Sequence, residues 1–136
     1  YNPLKDVYKT EVFALAHWRN ANCPDDLLGG DFPIPVNIIT KPPSAELRDD
    51  QKDSDSLPEY DVLDDILFGL IEEEAPVEAI IARGNSVADV KRIQHLLYIA
   101  EYKRRQAPPG VKIGSKNFGR DRRYPITNRY RDVAGD

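Results

Sequence analysis

Methionine is absent from these 136 residues, cysteine and tryptophan occur once each, and histidine occurs twice. The single cysteine, Cys23, excludes an internal disulfide and fits a reducing compartment, here expected to be the cytoplasm. His17 and His95 lie far apart, with no cysteine or second histidine at ligand spacing, so no metal site is expected. No apolar run approaches the roughly 20 residues that span a bilayer, and no signal peptide opens the chain. A membrane role is therefore not expected. Gly29-Gly30 fits neither G-x-x-x-x-G-K-[ST] nor G-x-G-x-x-G, so a glycine-rich phosphate loop is missing. Cys23 has no histidine arranged beside it in sequence to activate a thiolate. No residue is assigned a catalytic role.

What is present is charge. Lys and Arg number 19 against 23 Asp and Glu, a net charge of -4, which gives no general attraction to nucleic acid. The signs are segregated. Acidic residues crowd between Glu46 and Glu78, and basic ones between Lys103 and Arg131. The length suits about one small domain with a modest core. The opening Tyr1-Asn2-Pro3, without an initiator methionine, suggests the interior of a longer chain.

Apolar spacing predicts a mainly α chain. Leu4, Val7, Tyr8, Val12, Leu15, Ala16 and Trp18 recur at helical intervals, predicting a helix over 4–20. Residues 24–58 hold Gly29-Gly30 and six prolines, and predict a long mobile loop, with 49–56 its most disordered part. Leu63, Ile66, Leu67, Leu70 and Ile71 form the face of a second helix from Tyr60. Pro76 starts a short third, closed by Gly84 as a left-handed cap. Ser86 and Asp89 form a capping pattern for a fourth, running to about Arg105. Helices thus fill 60–105, and a basic tail, 106–136, follows with Ile113, Phe118, Tyr124 and Ile126 as apolar anchors.

Three spots could meet an anion. Lys9 adjoins the apolar stripe, so its stem could pack while its ammonium is held for a phosphate; a solvated lysine is the rival reading. Lys41-Pro42-Pro43-Ser44 presents a cation and a hydroxyl on a stiff backbone, or is simply a rigid linker. Tyr102-Lys103-Arg104-Arg105 closes the fourth helix, where cations favour the helix dipole whether or not a ligand is bound. The Asp64-Asp65 pair could hold a hard cation, but is read as a solvated helix face.

Three stretches together carry a resemblance: "NPLKDVYKTEVFALAHWRN", "NIITKPPSAELRDDQKDSDSLPEYDVLDDIL" and "HLLYIAEYKRRQAPPGVKIGSKNFGRDRRYPITNRYRD". In this order they resemble the C-terminal part of bacterial glutamine-dependent NAD synthetases, over nearly the whole chain. The resemblance implies a small helical cluster that is the C-terminal piece of an α/β adenine-nucleotide α-hydrolase-like synthetase domain. It implies an ATP- and magnesium-dependent ligase that adenylates deamido-NAD and makes NAD with glutamine-derived ammonia. It implies Lys9 and Ser44 as ATP-phosphate contacts, and Lys103, with Tyr102, as deamido-NAD contacts. Tyr102 stands where ammonia-dependent relatives carry histidine.

The family's Ser-Gly-Gly-x-Asp-Ser loop, its magnesium ligand and its glutaminase triad have no counterpart here. The resemblance places them upstream of Tyr1, so this chain alone is expected to be inactive. Upstream synthetase and glutaminase domains are the expected partners, and stripes left uncovered without them predict self-association as a homo-oligomer. The rival reading is an independent helical interaction module that uses its basic tail.

Overall fold

The computed structural model describes residues 1–22, 24, 32–41, 57–121, 123–127, 129–130 and 132. Cys23, Ser44 and most of the 24–58 segment therefore lie outside the described residues. Among the described residues every regular element is helical, and six helices follow one another: α1 (Lys9–Ala21), α2 (Val36–Thr40), α3 (Tyr60–Ile71), α4 (Val77–Ile81), α5 (Val87–Ile99) and α6 (Glu101–Gln106). The chain divides into two compact units, one of Tyr1–Val7 with Tyr60–Asp136, the other of Tyr8–Glu59.

The first unit is built on α3, α4 and α5. Their apolar faces bring Ile66, Leu70, Val77, Ile80, Val90 and Ile93 out of water. Each such aliphatic side chain contributes on the order of 1.5–3 kcal/mol when fully buried, so the core is small but sufficient to orient three helices. Gly69 lets α3 and α4 approach. A methyl group there would lie 2.9 Å from Ile80 Cγ1. Gly84 ends the α4 turn at φ 104°, a left-handed conformation that L-residues rarely adopt. Ser86 then starts α5, its hydroxyl accepting the Asp89 N–H at 3.4 Å.

The helix predicted to run to Arg105 is interrupted. Ala100, at φ −81° and ψ 2°, separates α5 from the six-residue α6. The Asp64-Asp65 pair also differs from its sequence reading. Asp64 is buried, and Asp65 accepts Asn85 Nδ2 at 2.6 Å, with Arg83 3.7 Å away. Asp64 thus departs from a solvated face, while the Asp65 carboxylate remains 45% exposed.

In the second unit α1 begins at Lys9, five residues after the predicted start at Leu4. The cause is local competition. Asn2 Oδ1 takes the Leu4 N–H at 3.1 Å, Val7 closes a turn onto the Leu4 carbonyl, and Tyr8 is extended. Glu11 caps the true start by accepting the Tyr8 N–H at 3.0 Å. The apolar stripe of α1 is left largely uncovered. The helix has no fully buried residue, and Leu15 and Trp18 stand 52% and 53% exposed. Near its end, Asn20 donates to the Ile34 carbonyl (2.8 Å) and accepts the Ile34 N–H (3.1 Å). That two-way bond fixes the entry to α2, a short helix that the sequence pattern did not predict.

Candidate functional site

The end of α6 sorts four consecutive residues by face. Glu101 and Arg104, three apart, share one side of the helix and are 1% and 5% exposed. Tyr102, 47% exposed, and Lys103, also exposed, take the outer side. The Arg104 guanidinium bonds the Glu101 carboxylate, and Arg105 Nε stands 3.6 Å from the same carboxylate. Two rings flank the guanidinium: Tyr124 at 5.5 Å and Phe118 at 5.9 Å. Tyr124 in turn meets Tyr98 of α5 at 4.5 Å between centroids. A cation that is desolvated inside the molecule is thus matched by a carboxylate and two π faces. The chemistry facing solvent is the Tyr102 phenol, the Lys103 ammonium and the half-exposed Arg105 guanidinium, at a basic helix terminus.

The rings come from the segment after Pro108-Pro109, which folds back on the unit. Of the four anchors predicted for the basic tail, Phe118 and Tyr124 pack in this way, while Ile113 and Ile126 remain 59% and 57% exposed. The segment is tied at several points. Lys116 Nζ donates to the Ile71 carbonyl (2.9 Å) at the end of α3 and to Glu74 (2.6 Å), a cation on a helix C-terminus. Ser115 bonds Glu72. Asp121 accepts Lys112 Nζ at 2.8 Å and the Asn117 N–H at 2.7 Å. Those two bonds, the lysine first, hold the Asp121 carboxyl below its ordinary range.

In the other unit Lys9 opens α1. Its ammonium lies 5.5 Å from the Phe13 ring one turn on, and the side chain is exposed. The charge sits over a ring and at the positive end of a 13-residue helix. Both features favour an anion there. Ser44 lies outside the described residues.

His17 and His95 are both exposed, and no group of three or more His, Cys, Asp or Glu able to hold a metal occurs among the described residues. No helix among them is long and apolar enough to cross a membrane. Glu101 was not singled out from sequence, and Arg104, counted there among the cations that could meet an anion, is instead buried against it. Glu-x-x-Arg on a helix ordinarily marks a solvated surface pair. Only the returning rings of Phe118 and Tyr124 separate the two cases.

The terminal helix thus offers Tyr102, Lys103 and Arg105 to solvent, with Glu101 and Arg104 paired beneath. The family model for NAD synthase matches residues 1–107, and the chain belongs to that family. It is 55% identical over 136 residues to a glutamine-dependent NAD(+) synthetase of Rhodobacter capsulatus, covering 98% of this chain and 24% of that protein. It is 52% identical over 130 residues to the glutamine-dependent NAD(+) synthetase of Xanthomonas campestris pv. campestris (strain 8004), covering 96% and 22%. A solved structure, the glutamine-dependent NAD+ synthetase of Acinetobacter baumannii in complex with ADP, matches with TM-score 0.52 and 43% identity, covering 91% of this chain and 20% of that one. The chain therefore spans less than a quarter of the length of these relatives.

Proposed function

We propose that this chain is the C-terminal part of the synthetase region of a cytoplasmic glutamine-dependent NAD synthetase, and that it supplies ligand-binding side chains, not the catalytic loop. The full enzyme would be a carbon–nitrogen ligase. The nicotinate carboxylate of deamido-NAD attacks the α-phosphorus of ATP and pyrophosphate leaves. Ammonia derived from glutamine then displaces AMP to give the amide. The helices of this chain would complete an α/β adenine-nucleotide α-hydrolase-like domain, and upstream segments would add the phosphate loop and the glutaminase.

The observation that carries this reading is the exposure of Tyr102 and Lys103 on α6 above a buried Glu101–Arg104 pair. In a chain matched to NAD synthase over residues 1–107, they are assigned to deamido-NAD. Lys9 is assigned to ATP phosphates, where its ammonium would offset charge that develops on the pyrophosphate leaving group. Ser44 is assigned to the same phosphates on the strength of its motif alone. Magnesium would accompany ATP, but the described residues contain no suitable cluster of acidic ligands, so no metal ligand is assigned to this chain. Without the upstream loop the isolated chain would be inactive.

The test is Lys103→Ala in the full-length enzyme, with steady-state kinetics in each substrate. Loss of a charge-assisted hydrogen bond should raise KM for deamido-NAD by about tenfold or more. Wild-type KM and turnover for deamido-NAD would remove the role.

A further inference from the structure

Residues 108–121 run as a strap past the end of α6, and three of the first seven residues hold it. Asp6 Oδ2 accepts the N–H of Ile113 (2.8 Å) and of Gly114 (3.3 Å), while Oδ1 accepts the N–H of Phe118 (2.6 Å). Lys5 Nζ donates to the Pro108 carbonyl at 2.7 Å and lies 5.7 Å from the Phe118 ring. The Asn2 N–H donates to the Pro109 carbonyl at 2.9 Å. The approach is close enough that a Cβ at Gly110 would lie 2.6 Å from the Asn2 carbonyl oxygen. Phe118, seated by Asp6, then lies beside the Arg104 guanidinium.

We propose that Asp6 is a positioning residue for ligand binding by α6: by gathering three N–H groups of the strap it seats Phe118 against Arg104 and so fixes the turn that presents Lys103. This rests on the reading of Lys103 as a deamido-NAD contact. The physical basis is the length of α6. Six residues make too few internal hydrogen bonds to hold a helix on their own, so its direction is set by what packs on its inner face. That face is Glu101 and Arg104, and the strap provides the packing. Every hydrogen bond accepted by Asp6 comes from the strap, and charge-assisted bonds of this kind are about twice as strong as neutral ones. A carboxylate is needed because both of its oxygens accept. An amide would turn an NH2 group toward an N–H donor.

The experiment compares Asp6→Asn, Phe118→Leu and Lys103→Ala in the full-length enzyme. The readouts are KM for deamido-NAD, KM for ATP, kcat, and the rate of tryptic cleavage at Lys112 and Lys116. Asp6→Asn is expected to speed cleavage and raise KM for deamido-NAD by about 3- to 10-fold, what one lost hydrogen bond transmits. KM for ATP should not move. Phe118→Leu keeps an apolar group but loses the ring face, and should raise the same KM by a smaller factor. A merely structural defect would lower kcat, or raise both KM values together, and either result overturns the proposal. Where Asp6→Asn fails to fold, Phe118→Leu decides. If Lys103→Ala raises KM for deamido-NAD while the other two variants leave it unchanged, only the strap inference falls. If Lys103→Ala is silent, the assignment of Lys103 falls, and the strap inference falls with it.

Discussion

Arg104→Met offers the sharpest test of how the α6 end is built. The substitution removes a guanidinium that is 5% exposed and leaves Glu101, 1% exposed, with its charge beneath the helix. Stripping one partner from a buried pair costs about 3–5 kcal/mol, because the remaining charge is desolvated and uncompensated. Arg105 Nε, 3.6 Å from the same carboxylate, offers partial relief. Loss of the cation's contacts with Tyr124 and Phe118 adds back about 0.5–1 kcal/mol. The expected cost is therefore about 3 kcal/mol. The double variant Glu101→Leu with Arg104→Met removes both charges and keeps most of the apolar volume, so it should lie within about 1.5 kcal/mol of wild type. Urea unfolding followed by far-UV circular dichroism reports all the helices, of which α3 to α6 belong to this unit. Trp18, the only tryptophan, reports the other unit by fluorescence and serves as an internal control. A cost below about 1 kcal/mol for Arg104→Met would refute the reasoning, since that is what a solvated surface pair contributes.

Other consequences are as direct. Gly69→Ala should destabilise by about 1–3 kcal/mol despite gaining helix propensity, because the new methyl meets Ile80 Cγ1 at 2.9 Å and Cδ1 at 3.0 Å; adding Ile80→Val, which removes Cδ1, should recover part of the loss in the same urea titration. Asp121 has a folded-state pKa below its unfolded value, so its contribution is present above the ordinary carboxylate range and fades as pH falls through the lowered value. Amide exchange of Asn117, whose N–H it accepts, should accelerate over that acidic window, and Lys112→Ala should move the onset to higher pH. Lys9→Ala in the full-length enzyme should raise KM for ATP by about tenfold and leave KM for deamido-NAD unmoved, a split that steady-state kinetics would read. The isolated chain, with Leu15, Trp18, Val36 and Ile38 each more than half exposed, should self-associate; a clean monomer in sedimentation at high concentration would contradict this.

Where local chemistry rules, sequence and structure agree. Ser86 with Asp89 announces the start of α5, and Gly84 announces a left-handed turn, because a cap or a positive φ depends on a few adjacent residues. The stripes at Ile66, Leu70, Val90 and Ile93 are legible for a similar reason: helical periodicity and burial coincide when helices pack on one another. Leu15 and Trp18 share that periodicity, yet α1 leaves them exposed, since a stripe records that a face is apolar and not what covers it. Lys9 and Lys103 were visible as cations, and Lys103 is exposed as a ligand contact requires, but their pattern equally suits a helix in water.

The residues themselves determined a mainly helical chain, and their ordered motifs carried the resemblance to its family. Tertiary structure alone decided the difference between Glu101–Arg104 and an ordinary surface pair. It also decided the role of Asp6, whose partners stand 107 to 112 positions away. Caps and periodicities are short-range and leave a local signature. The burial of a charge, or the capture of distant N–H groups by one carboxylate, depends on which segments return to the same place, and no local pattern encodes that.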